Sequence, residues 1–196
     1  MSILVLTSDT LIGTPATGNI EYNGQFFGTD SNASRAQMQR ITQGTSVAST
    51  SGTSIDFTGL PAWCKRITVM FSGVSTSGTS IPLIQLGDSG GIENTGYSAV
   101  AGASTSAGLW GTSTAGFPVG TSSISTAANL LYGSMVFTTL GSNAWVGQGC
   151  FYASTGYSMS ASGAKSTSDV LTQIRITTVN GTDTFDAGSI NILYEG

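Results

Sequence analysis

Apolar and polar side chains alternate most sharply between Arg66 and Val74. There Ile67, Val69, Phe71 and Gly73 fall on one face, and Thr68, Met70, Ser72 and Val74 on the other. Period-2 alternation of β-branched and aromatic residues predicts a strand with one face more buried than the other. A shorter run, Ile55 to Thr58, precedes it across a connector carrying Gly59, Pro61 and Trp63, and the two runs read as a central hairpin. Ser80 to Gly87 predicts another strand, with Pro82 near its start because proline has no N–H for the ladder. Asn129–Thr139 and Ala144–Ala153 predict an antiparallel pair through a turn at 140–143. Val170–Val179 and Ser189–Glu195 are the last two strands, separated by an Asn180-Gly181 turn. Residues 92–128 predict short strands at best, and Ser154–Asp169 reads as a polar loop.

The first 45 residues differ. Ser2–Thr7 is a short strand candidate, and Asn23-Gly24 between apolar runs is a strong hairpin signal. Asn32–Ile41, with its Ala, Gln, Met and Arg, is the one stretch whose propensities favour a helix, with Asn32 or Ser34 as its cap. The Ser/Thr/Gly stretch 44–54 marks a boundary. The expected architecture is therefore all-β: a jelly-roll-like antiparallel β-sandwich over 46–196, preceded by an extension over 1–45 that carries a small helix.

Composition narrows the function. Only 8% of the 196 residues are charged, with six Lys and Arg, ten Asp and Glu and a net charge of −4. Six cations cannot cover many phosphates, so nucleic-acid binding is not expected. No apolar run is long enough for a membrane helix, and the N-terminus lacks the basic segment of a signal peptide. There is no histidine, which removes the commonest general base and the usual partner of a nucleophilic serine. The stretch Gly87-Asp-Ser-Gly-Gly91 therefore reads as a turn, although it looks like a serine-protease segment. Cys64 and Cys150 read as buried free thiols, and without histidine they make no zinc site. The carboxylate pairs Asp183/Asp186 and Asp88/Glu93 read as turn residues, with calcium as the functional alternative. No cofactor, no resident metal and no enzymatic activity are expected.

Aromatic residues outside the strand runs are the candidate chemistry. Tyr97, Trp110, Phe117 and Tyr157 lie among Gly, Ser and Thr, and such rings with neighbouring hydroxyls suit the apolar face of a sugar. Trp63 and Trp145 lie in or beside strands and read as core.

Two motifs stand out as a pair: Ile55-Asp-Phe-Thr-Gly-Leu-Pro-Ala-Trp-Cys-Lys-Arg-Ile-Thr-Val through Leu83-Ile-Gln-Leu-Gly-Asp-Ser-Gly-Gly-Ile-Glu-Asn-Thr-Gly-Tyr97, and the closing Arg175–Glu195. Together they resemble a domain recurrent in tailed-bacteriophage tail-fibre and related virion proteins. Gly18–Phe27 with Arg35–Ile41 is similar to a short element that precedes such domains. The resemblance implies a β-sandwich of a virion appendage, commonly homotrimeric, made in the host cytoplasm and contacting a host surface glycan or protein. It also implies that residues 1–45 hold other virion proteins of the capsid, portal or tail, with Tyr22, Phe26, Phe27, Arg35 and Arg40 as candidates. The alternative is a capsid or tail decoration protein that binds no receptor. Lys65 and Arg66 read as the solvated start of a strand, and the contacting surface is expected in the loops 92–128 and 154–169.

Overall fold

In the computed structural model, residues 11, 13–14, 16–23, 25–104, 108–127 and 129–196 are described. The strand expected over Ser2–Thr7 lies outside them. The described residues form strands and turns with no helix, in two compact units, residues 1–40 and 41–196.

In the first unit, β1 (Ile20–Tyr22), β2 (Phe26–Thr29) and β3 (Arg35–Gln37) make an antiparallel meander. The β1–β2 hairpin forms where Asn23-Gly24 predicted it, with Tyr22 opposite Phe26, although Gly24 itself is outside the described residues. The expected helix over 32–41 is a turn and a strand instead. The Asp30 carboxylate accepts from the N–H groups of Asn32 and Ser34, each at 2.9 Å, and Ala33 takes a left-handed φ of 57°. Arg35 then pairs with Thr29 on β2 and forks onto the Glu21 carboxylate at 2.7 and 3.1 Å. Weak helix propensity loses to a local turn and a strand partner.

The described residues of the second unit form fourteen strands. They begin with β4 (Ile41–Gln43), β5 (Val47–Ala48), β6 (Ile55–Thr58), β7 (Arg66–Thr76), β8 (Pro82–Asp88) and β9 (Gly91–Ile92). Then come β10 (Ser98–Ala103), β11 (Leu109–Ser113), β12 (Phe117–Pro118), β13 (Leu131–Gly141) and β14 (Ala144–Ala153). The last are β15 (Tyr157–Ser166), β16 (Gln173–Thr178) and β17 (Phe185–Glu195). Nine strands form one antiparallel sheet in the order β11-β10-β15-β14-β13-β7-β17-β4, with β5 also on β17. Five form a second, β12-β8-β16-β6, with β9 on β8.

Strands β6 and β7 are not a hairpin. β6 pairs with β16 in the small sheet, and β7 lies between β13 and β17 in the large one. The connector through Pro61 and Trp63 crosses from one sheet to the other, and no tight two-residue turn joins the runs. The burial phase of β7 also changes within the strand. Ile67, Val69 and Phe71 face the core, and so does Val74, because a bulge at Gly73 inserts one residue. Gly73 has φ of 66° and its neighbour across the ladder, Gly188, 86°. A Cβ on Gly188 would sit 2.3 Å from the Gly73 carbonyl oxygen, so the close approach requires glycine there.

Residues 131–166 are a meander of three long strands. The β13–β14 turn places Ser142 and Asn143 at φ of 49° and 62°, the backbone of a two-residue type I′ hairpin. The segment expected as a polar loop, 154–169, is mostly strand β15. Its inward positions are Met159, Ala161 and Lys165, and its outward ones Ser158, Ser160 and Ser162. Small residues on both faces hide this alternation in the sequence.

Both sheets contribute to one hydrophobic core. Phe117 on β12 packs edge-on against Phe137 of β13, with centroids 4.9 Å apart, and against Tyr97 at 5.4 Å. Trp145 is buried as expected, whereas Trp63 is half-buried with its ring 5.7 Å from Tyr194.

The unit boundary falls five residues earlier than expected. β4 hydrogen-bonds the end of β17, and Ser49 Oγ donates to Ala187 O at 2.7 Å. Deleting residues 1–40 is expected to leave the unfolding midpoint of the remainder unchanged. Deleting 1–50, which strips β4, β5 and Ser49 from β17, is expected to lower the midpoint, with a loss of about 2 kcal/mol or more of unfolding free energy. Urea denaturation of both truncations checks this, and equal losses would place the boundary elsewhere.

Candidate functional site

The outer face of the large sheet presents side chains in register across six strands. One row runs Ser72, Tyr132, Tyr152, Ser158. The next runs Met70, Ser134, Cys150, Ser160, Gly102, Trp110, and the third Thr68, Val136, Gln148, Ser162, Val100, Thr112. No charged residue stands in these three rows. Their order follows from the pleat: Met135, Phe137, Trp145, Phe151, Met159 and Ala161 fill the core, so their neighbours in sequence point outward.

The middle of this face is a trough of about 480 Å³, lined by Ser134, Val136, Gln148, Cys150, Ser160 and Ser162. Tyr132 and Tyr152 flank it as a cross-strand pair, with centroids 6.2 Å apart and ring planes inclined by 33°. They are 40% and 51% exposed, and Trp110, on edge strand β11, is 75% exposed. The side chains of Ser134, Gln148, Ser158, Ser160 and Ser162 make no hydrogen bond within the protein among the described residues. Cys150 was expected to be buried; it is exposed, because its strand phase is that of Gln148 and Tyr152. Cys64 is a buried free thiol, pushed up to about 11 by burial.

The four aromatics singled out from the sequence separate. Trp110 is on this face, and Tyr157 is partly exposed at the start of β15. Tyr97 and Phe117 are core residues and offer no stacking face. The Tyr97 hydroxyl donates to Glu93 O at 2.8 Å and accepts from Leu86 N at 2.7 Å, and burial raises it well above the usual phenol range. Tyr132 and Tyr152 were missed because they stand inside strand runs. The signal was there in principle: they share outward phase with Ser134 and Gln148 once Met135 and Phe151 are assigned inward.

In the first unit, Tyr22, Phe26, Gln37, Met38 and Arg40 surround a groove of about 370 Å³. Tyr22 and Phe26 pack with centroids 5.0 Å apart and ring planes inclined by 43°. Phe27 is half-buried, and Arg35 is committed to Glu21, so of the five anchoring candidates the structure gathers Tyr22, Phe26 and Arg40.

Two polar features are structural. Asp88 accepts from Gly90 N at 2.8 Å, Ser168 Oγ at 2.6 Å and Asp169 N at 2.9 Å, and the Ser168 hydrogen bond above all holds its carboxyl below the usual range. Glu93 pairs with the buried Lys165, whose ammonium lies 5.2 Å from the centre of the Tyr97 ring. Desolvation pushes the Glu93 carboxyl up, but Lys165 and Ser168 outweigh it and the net displacement is downward. Every group in this cluster is satisfied by another, so it ties β8, β9 and β15 to the loop before β16 and leaves no group poised as acid or base. Asp183 likewise accepts from Asn180 Nδ2 at 2.7 Å and Ser80 N at 2.9 Å, and Asp186 from Ser75 Oγ. Among the described residues no group of three His, Cys, Asp or Glu side chains could hold a metal ion.

A recess of about 390 Å³ on the small sheet is also polar, and several of its groups are engaged by others. Arg175 makes two 2.7 Å bonds to Asp56, Gln85 donates to Ala115 O at 2.9 Å, and Thr177 donates to Thr53 O at 2.9 Å. Among the described residues, the large-sheet trough combines uncommitted hydrogen-bonding groups with neighbouring exposed aromatics. No protein-family profile, curated protein or solved structure matches this chain.

Proposed function

We propose that this chain is a structural protein of a tailed-bacteriophage virion, a short fibre or appendage that contacts the host surface. The reading rests on the resemblance of the motifs in Ile55–Tyr97 and Arg175–Glu195 to a tail-fibre domain. These residues occupy β6 to β9, β17 and most of β16, which together supply neighbouring strands to both sheets. They are scaffold, as expected of motifs that mark a domain and not its ligand. Support also comes from the surface, which has few charges and many hydroxyls, and from the separate sheet of residues 1–40, which suits an anchoring element. A homotrimer is the expected assembly, with other virion proteins as partners of the first unit.

We further propose that the second unit is a jelly-roll-like sandwich. The pairs β7:β17 and β8:β16 lie in different sheets, while the chain runs from β7 to β8 and from β16 to β17. A paired ribbon that passes from one sheet to the other in this way is the wrapping expected of a jelly roll.

The function is tested with particles assembled with and without the chain. Particles lacking it are expected to remain intact and to lose host adsorption. Unchanged adsorption with loss of particle integrity would point instead to decoration.

A further inference from the structure

We propose that the outer face of the nine-stranded sheet binds a neutral saccharide in the trough between the Tyr132–Tyr152 pair and Trp110. The inference deepens the host-contact reading and rests on it for its biological occasion, though the binding itself does not.

Three features converge on this ligand class. The trough is lined by hydroxyl and amide groups that make no hydrogen bond among the described residues, so Ser134, Gln148, Ser160 and Ser162 can donate to and accept from a polyhydroxylated ligand. Its size, about 480 Å³, falls within the roughly 300–1,000 Å³ of ligand clefts. The Tyr132–Tyr152 pair in the row beside the trough is exposed, and Trp110, two strands beyond β15 on the same face, is more so; such rings are the surfaces on which the C–H face of a sugar packs. Charge selects among saccharides. With no cation in the three rows, a sulfated or uronic-acid polymer would enter a site without a counter-charge, whereas a neutral glycan loses nothing there. The same uncommitted hydroxyls disfavour a second copy of this sheet as occupant, because facing sheets would bury them without partners.

The exposed thiol makes the site measurable. Cys150 lines the trough and Cys64 is buried, so alkylation by iodoacetamide at pH 8 reads Cys150 selectively. The probes are neutral hexasaccharides (α-glucan, β-glucan, mannan and galactan), with hyaluronan fragments as an anionic control. At least one neutral probe is expected to slow alkylation of Cys150 in the full chain, and hyaluronan is not. Tyr152→Ala is expected to weaken that protection about tenfold, the loss of one aromatic contact. Ser162→Asp, on the exposed floor, is expected to abolish it while melting remains unchanged. Protein carbamidomethylated at Cys150 should bind no probe by calorimetry.

Protection by none of the neutral probes would overturn the proposal. So would protection that survives both substitutions. Protection without sugar that rises with protein concentration would also overturn it, by showing that a second copy covers the face. Sugar binding that Tyr152→Ala weakens without altering particle adsorption would uphold the site and refute the attachment reading.

Discussion

Phe117→Ala is expected to destabilise the second unit by about 4 kcal/mol, the loss typical of truncating a fully buried phenylalanine. Its ring is 0% exposed and meets Tyr97 and Phe137 edge-on, so it joins the small sheet to the large one. The cavity could not collapse easily, because both neighbours are themselves fixed. Tyr97 is held through its hydroxyl, and Phe137 lies over Gly147, where a Cβ would come within 2.7 Å of the ring. Trp110→Ala, by contrast, removes a side chain that is 75% exposed and is expected to change stability by less than about 0.5 kcal/mol. Urea denaturation of the two variants separates core from surface aromatics. Similar losses would show that Trp110 is covered in solution or that Phe117 is not.

The second large effect is expected at the Lys165–Glu93 pair. Glu93→Gln leaves the ammonium of Lys165, which is only 7% exposed, without its counter-charge. The expected cost is about 2 kcal/mol, less than for a fully buried pair because Glu93 is partly solvated. Lys165→Met combined with Glu93→Gln should recover much of the loss, since no unpaired charge then remains. The same pair sets a pH dependence. A carboxyl held below its usual value stabilises the fold above its unfolded pKa, and that contribution disappears as pH falls through the folded value. Glu93, Asp88 and Asp183 are all displaced downward, so stability is expected to be flat from about pH 8 to 5 and to decline below about 4. The decline should be shallower in Glu93→Gln. A decline beginning near neutral pH would mean that these carboxyls are not held in their charged form.

Where the hydrophobic period was strong, the fold was legible. β7, β8, β13, β14 and β17 lie close to where the alternation placed them, Pro82 opens β8, and the turn at 140–143 forms. What failed did so for identifiable reasons. β15 was invisible because its inward residues are Met159, Ala161 and a paired lysine, a face without the bulk that marks a strand. The β6–β7 hairpin was wrongly expected because sequence proximity cannot tell a turn within a sheet from a crossing between sheets. The 32–41 helix lost to Asp30 and to the Arg35–Glu21 fork, interactions that no local propensity contains.

The binding surface was legible only in part. Trp110 stood out because it lies among small residues, yet the same rule selected Tyr97 and Phe117, which fill the core. Exposure of an aromatic depends on the phase of its strand, so Tyr132 and Tyr152 become visible only after register is known. The expected loops 92–128 and 154–169 contain β10, β11 and β15; the outward face of β15, with β13 and β14, forms the trough, and β10 and β11 extend the same face beyond it.

A reconstruction of the assembled particle with this chain traced tests the host-contact reading most directly. The Tyr132–Tyr152 and Trp110 side of the nine-stranded sheet is expected to face away from the particle, with residues 1–40 against another virion protein. Finding that side packed against capsid or tail protein, or finding no copy of the chain in the particle, would contradict it.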